Sequence, residues 1–232
     1  MKKKFPIIIL LALAVMVLGV YLYGQFSGKS PAVLDLDGAE RGDSSSVSPI
    51  DVREDDAVFL GESQLGACDW SSLFDDASCR TLAFDGNDLR TETERVKSLP
   101  ENISPRIFFL MFGERELLDG MEVGEVAEEY GRFVGLLKER FPSTEVVLLS
   151  VLPMWRPIDN DFNMTMSVKV KSFNIFVKAI ASRYDYSYVH LYGDFVTPEG
   201  TMNPTYSSWD GSCLNEFAYA VIKDRLKEFL NN

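Results

Sequence analysis

The chain has 232 residues, 46% of them hydrophobic and 25% charged, which suits one globular domain with additional segments. Its formal net charge is −12, and Lys2, Lys3 and Lys4 lie ahead of the first apolar run, so the remaining body is more acidic still. Such a body argues against nucleic acid or an anionic membrane surface as a partner.

The first element is Phe5 to Gly24, almost wholly apolar. About 20 such residues match the span of a hydrocarbon core. The lysines before it favour a cytoplasmic N-terminus. No Ala-x-Ala-like cleavage site follows, and Tyr21 and Tyr23 suit a membrane interface. The expectation is an uncleaved transmembrane helix rather than a signal peptide. Either one exports the rest of the chain. No cysteine follows the run closely, so a lipid-anchored N-terminus has no support. Residues 1–26 thus read as a lysine cluster and anchor. Residues 27–56, rich in Ser, Asp, Glu and Gly, read as a flexible tether. Residues 57–232 read as the folded, extracytoplasmic domain. Its cysteines, Cys68, Cys79 and Cys213, face an oxidising compartment, and their odd number leaves at least one free or paired between chains.

From Ala57 onward, short apolar runs alternate with helical patterns. Strands are expected at Ala57–Leu60, Cys79–Phe84, Arg106–Phe112, Glu145–Leu152 and Tyr186–Tyr192. Near-continuous apolar strands such as RIFFLMF are what a sheet buried on both faces requires. Between them, Val123, Val126, Ala127, Tyr130, Phe133, Val134 and Leu137 share one helical face. Val168, Phe173, Phe176, Val177 and Ile180 do much the same. The last helix presents Phe217, Val221, Leu226 and Phe229, with Asn215 as its cap and Glu216 in its first turn. This alternation predicts an α/β, three-layer domain around a parallel sheet of about five strands. Ligands in such sheets bind beyond the carboxyl ends of the strands.

Four segments follow predicted strands or precede the last helix, where a site belongs. They are Gly61-Glu62-Ser63, Asp85-Gly86-Asn87-Asp88, Gly113-Glu114-Arg115-Glu116 and Asp210-Gly211-Ser212-Cys213-Leu214-Asn215. Together they resemble the blocks of the SGNH/GDSL hydrolase family in its compact flavodoxin-like form. Those blocks read roughly Gly-Asp-Ser, a lone Gly, Gly-x-Asn-Asp and Asp-x-x-His. The resemblance covers about residues 57–231. It extends to Trp70 and Leu73-Phe74 after the first block, to Ser150-Val151-Leu152-Pro153 at the end of the fourth strand, and to Tyr219 in the last helix.

The resemblance implies roles residue by residue. Ser63 matches the nucleophile, with Glu62 in place of the preceding Asp. Gly86 matches the glycine whose amide helps hold an oxyanion. Arg115 stands at the oxyanion asparagine and Glu116 at the Asp that follows it. Asp210 matches the acid that orients the histidine, and Cys213 replaces that histidine. His190 is the only histidine of the chain; it lies in the fifth predicted strand and reads as structural. A thiol titrates near ~8.5 and an imidazole near ~6.5 in reference peptides. A neighbouring Asp210 would push the thiol higher, so Cys213 is a poor base for Ser63. Arg115 can stabilise an oxyanion, yet pairing with Asp210, Glu114 or Glu116 to fill the pocket is favoured. Ser63 and Asp210 also have plain readings, as a cap and as a turn residue. Trp70 and Trp209 both read as packing residues before sugar platforms, and Trp209, beside the site, is the better candidate platform of the two.

Topology places Cys68 and Cys79 at opposite ends of the sheet, too far apart for a disulfide, and Cys68 and Cys213 both near the top. Any intrachain disulfide is therefore expected between Cys68 and Cys213. The leading functional expectation is an impaired hydrolase-like ectodomain that binds an acylated or carbohydrate ligand or a protein partner. The alternatives are a working acyl-ester hydrolase or acyltransferase using Ser63 with an atypical base, and a scaffold in a cell-envelope modification complex. No metal or cofactor motif is visible.

Overall fold

The computed structural model describes residues 52–83, 86–100 and 103–231. The expected membrane helix and most of the tether lie outside them. Among the described residues, no helix is long and apolar enough to cross a membrane. The packed domain reaches back at least to Val52, which is buried in the core, and to Asp56, whose carboxylate accepts from the Arg53 amide at 2.8 Å.

Five parallel strands form one sheet: β1 (Ala57–Gly61), β2 (Cys79–Thr81), β3 (Ile107–Met111), β4 (Glu145–Leu149) and β5 (Ser187–Val189), in the order β2-β1-β3-β4-β5. Ala57 sits opposite Cys79 on one side and Ile107 on the other. This is the flavodoxin-like order, whose direction of winding reverses at β1 and β3. Side chains alternate faces along a strand. Val58, Leu60, Phe108, Leu110, Val146 and Leu148 enter one core; Ala57, Phe59, Ile107, Phe109, Val147 and Leu149 enter the other. Both faces are therefore covered, which explains the unbroken apolar runs.

Over the first face lie α3 (Leu89–Ser98), α5 (Val123–Arg140) and α6 (Asn160–Tyr184). The second face is covered by α2 (Trp70–Phe74) and α8 (Glu216–Leu230). Three short helices complete the chain: α1 (Ser63–Gly66) after β1, α4 (Glu114–Leu118) after β3 and α7 (Tyr192–Phe195) after β5. Trp70 packs as expected: its ring stacks on Phe59 with centroids 4.2 Å apart, and its Nε1 donates to the Leu65 carbonyl at 2.9 Å.

Helix α5 buries the expected face, from Val126 to Leu137. In α6 the inward stripe is instead Asn163, Met166, Ser167, Val170, Phe173, Asn174, Val177 and Ala181, and Val168 and Phe176 are exposed. The polar members hide the stripe from an apolar count. Asn174 both accepts from the Val151 amide and donates to the Val151 carbonyl, each at 2.9 Å. Asn163 does the same for Arg156, at 2.8 and 2.9 Å. In α8, Asn215 caps as expected, accepting from the Phe217 and Ala218 amides. The buried residues there are Ala218, Tyr219, Ile222 and Leu226, while Phe217 points outward.

Candidate functional site

Ser63 is the first helical residue after β1, at the point where the sheet order reverses. Glu62 holds the extended N-cap position of α1, and no side chain caps that helix. Ser63 therefore does not act as the cap, and its hydroxyl has no hydrogen-bond partner among the described residues. It lines a cavity of about 470 Å³ together with Gln64, Ser212, Cys213, Leu214 and Tyr219. The Tyr219 hydroxyl donates to the Gln64 carbonyl at 2.9 Å, tying α8 to α1 across the cavity floor. The sequence motifs at 63 and 213 thus meet in one pocket.

The loop that carries Cys213 is a small closed turn. Ser207 and Leu214 bridge antiparallel, and the Ser208 amide donates to the Cys213 carbonyl at 2.8 Å. Asp210 Oδ1 accepts from Ser208 Oγ at 2.6 Å, Ser212 Oγ at 2.8 Å and the Ser212 amide at 3.1 Å. Those bonds, the Ser208 hydroxyl foremost, lower the carboxyl pKa to about 2. Asp210 Oδ1 thus serves its own turn, and none of these bonds reaches Cys213. Gly211, at φ +76°, lets the turn rest on Trp155: a Cβ there would come within 2.5 Å of the Trp155 carbonyl oxygen. Trp209, at the tip, is 85% exposed and does not line the Ser63 cavity.

Arg115 departs from expectation. Its amide donates to Glu62 Oε2 at 3.0 Å, which fixes the first turn of α4 against β1. Its side chain runs outward along α4 to Asp119, with Nε 2.9 Å from Oδ2. The guanidinium is half-exposed and does not fill the pocket. Pairing with Asp119 one turn along keeps the guanidinium at the surface, away from the buried carboxylates, where desolvation would cost more. Gly86 also lies outside the cavity lining; it adopts φ +81° with open space around its Cα. Its neighbour Asn87 is buried and donates to the Gly61 carbonyl at 3.2 Å and to Glu92 at 3.1 Å.

Behind the pocket lies a group of carboxyls whose weight the sequence motifs did not convey. Glu62 is buried, and its Oε1 accepts from the Gly113 amide at 2.9 Å. Burial, then the nearby Glu114 and Glu116, push its pKa well up. Burial raises Glu114 to about 7, against an opposing bond from Gln64 Nε2 at 3.1 Å. Burial also raises Glu116, which accepts from the Leu89 amide at 2.8 Å. The repeated glutamates of Gly-Glu-Ser and Gly-Glu-Arg-Glu were the available signal. Among the described residues, no group of three or more His, Cys, Asp or Glu is arranged to hold a metal.

Cys68, Cys79 and Cys213 are all free thiols, so the expected Cys68–Cys213 disulfide is not formed. Cys79 lies beside Ala57 at the bottom of the sheet, as the topology required. Burial, aided by Asp69, raises the Cys68 thiol to about 11. Both Cys68 and Cys213 lie near enough to Tyr219 to add to the upward shift that burial gives its hydroxyl.

The domain has the SGNH/GDSL hydrolase fold. It superposes on a GDSL-like lipase from Bacteroides thetaiotaomicron with a TM-score of 0.66 and 20% identity, covering 77% of this chain and 88% of that one. A member of the lipolytic G-D-S-L family from Veillonella parvula gives 0.58 at 15% identity, covering 76% and 98%. An acetyl xylan esterase gives 0.60 at 12% identity, covering 75% and 98%. Neither a protein-family model nor a curated protein matches the sequence.

Proposed function

We propose that this protein is a membrane-anchored, exported, hydrolase-like binding protein whose Ser63 pocket takes an acylated ligand without efficient ester hydrolysis. One observation carries the reading: Cys213 lines the same cavity as Ser63, where the fold would place a histidine, and among the described residues no basic side chain lines that cavity. A serine without a base is a weak nucleophile near neutral pH. Removing one member of such a set typically costs several orders of magnitude in rate. Asp210, held near pKa 2 within its own turn, cannot act as the base either. The cavity, at about 470 Å³, falls in the usual range for small-ligand sites. The apolar run at Phe5–Gly24 supports the anchor.

The test compares hydrolysis of p-nitrophenyl acetate by the full-length chain in detergent with that by Ser63→Ala and Cys213→His. The expected result is no turnover above background in the parent and no labelling of Ser63 by a fluorophosphonate. Parent activity that vanishes with Ser63→Ala overturns the reading and establishes a hydrolase with an atypical base.

A further inference from the structure

A second cavity, larger than the first, opens along the β5 edge of the sheet. It holds about 740 Å³ between α6 and the strand. Alternate residues leaving and following β5 put Tyr186, Tyr188, His190 and Tyr192 on this side, while Val189 and Leu191 face the opposite core. The rings form a row in which His190 is exposed, Tyr188 is half-buried, and Tyr192 is buried with its hydroxyl donating to the Gly200 carbonyl at 3.2 Å. Tyr188 to His190 and His190 to Tyr192 are both 6.2 Å between centroids, inclined by 34° and 33°. The Tyr188 hydroxyl lies 3.3 Å from His190 Nδ1. The Tyr186 hydroxyl is buried with no hydrogen-bond partner among the described residues. Such a group is ordinarily paired.

The charge of this groove runs against that of the molecule. In a chain with 35 acidic residues and a net charge of −12, no Asp or Glu among the described residues lines it. Its other wall presents Lys171 and Lys178 from α6, and neither is in an ion pair among the described residues.

We infer that this groove is a binding site for an extended acidic oligosaccharide, separate from the Ser63 pocket. Aromatic faces take the C–H faces of sugar rings, and phenol and imidazole edges meet sugar hydroxyls. Tyrosine supplies that area at low cost in side-chain entropy. The two ammonium groups answer carboxylates on the sugar. A single-stranded nucleic acid also uses aromatic rows and lysines, and polyuridylate is therefore the competing ligand in the test. A neutral glycan would leave the lysines without a purpose. The site stands whether or not Ser63 retains chemistry.

The experiment is calorimetric titration of the full-length chain in detergent with a short oligogalacturonate, a neutral cello-oligosaccharide and polyuridylate. The oligogalacturonate is expected to bind, with affinity falling as salt rises. Lys171→Ala with Lys178→Ala should weaken binding by about tenfold or more. Tyr188→Ala should weaken it similarly, and Tyr188→Phe, which keeps the ring, should lose less. Thermal unfolding of each variant confirms that it is folded. Four results overturn the proposal: no binding of the oligogalacturonate, binding indifferent to these substitutions, equal binding of the neutral oligomer, or tighter binding of polyuridylate.

Discussion

Asn174→Ala tests the packing that holds the fourth strand's exit, and through it the loop beneath the Cys213 turn. The side chain pairs with both backbone groups of Val151 at 2.9 Å, and both residues are buried. Deleting it leaves one donor and one acceptor where water does not reach, at about 1–3 kcal/mol each. The expected loss of stability is therefore about 2–6 kcal/mol. Asn163→Ala deletes an equivalent pair to Arg156, at 2.8 and 2.9 Å, but Arg156 is exposed. Water can replace those bonds, so only their net worth of about 0.5–1.5 kcal/mol each is lost. Guanidinium unfolding followed by the fluorescence of buried Trp70 measures both, with unchanged slopes as the check on two-state behaviour. Equal losses, or a larger loss for Asn163→Ala, would refute the claim that burial of the partner decides the cost.

Stability should fall as pH rises from about 4.5 to above 7. Glu92, wholly buried, and Glu114 are both raised to about 7 by burial. A carboxyl with a raised folded pKa loses its proton first in the unfolded chain. Its favourable contribution is thus complete below the unfolded pKa and is lost as pH passes through the folded one. For Glu92 the change is on the order of 3 kcal/mol, and Glu92→Gln should flatten that part of the unfolding profile; a parent profile flat across this window would contradict it. Gly113→Ala should cost about 2–4 kcal/mol, because Gly113 sits at φ +111° and a Cβ there would lie 2.3 Å from Phe173; a normal melting temperature for that variant would show that the α4 turn is freer than its geometry indicates.

The sheet was legible because a strand buried on both faces cannot carry polar residues, so β1, β3 and β4 stand out as apolar runs. Strand β2 was read too long. It pairs only with β1, at one edge, and three residues complete that pairing. The inward stripe of α6 was misread because Asn163, Ser167 and Asn174 work as backbone partners rather than as surface groups. At the site, Ser63 and Cys213, from the first and last motifs, line one cavity. The direction of Arg115 was not legible, since it depends on Glu62 pinning the Arg115 amide and on Asp119 lying one turn further along α4. The groove beside β5 was visible only as an alternating strand. Whether a helix covers those tyrosines is a matter of how α6 lies on the sheet.

The Asp210 turn decides what restoring a histidine can achieve. In Cys213→His, an imidazole near Ser63 would still need Asp210 to orient it and stabilise its charged form. The Oδ1 of that carboxylate already accepts three hydrogen bonds within its turn, two of them from Ser212, which fix the direction in which the carboxylate faces. Ser212→Ala removes the hydroxyl bond at 2.8 Å but keeps the amide bond at 3.1 Å, so the turn survives while the carboxylate is freer to turn toward residue 213. Cys213→His alone is therefore expected to give weak esterase activity. Cys213→His with Ser212→Ala should exceed it by about tenfold, a gain of roughly 1.4 kcal/mol in transition-state stabilisation. Addition of Ser63→Ala should abolish activity in both. Equal rates in the single and double variants would mean that Asp210 is not confined by its serines. Activity that survives Ser63→Ala would place the chemistry at another residue.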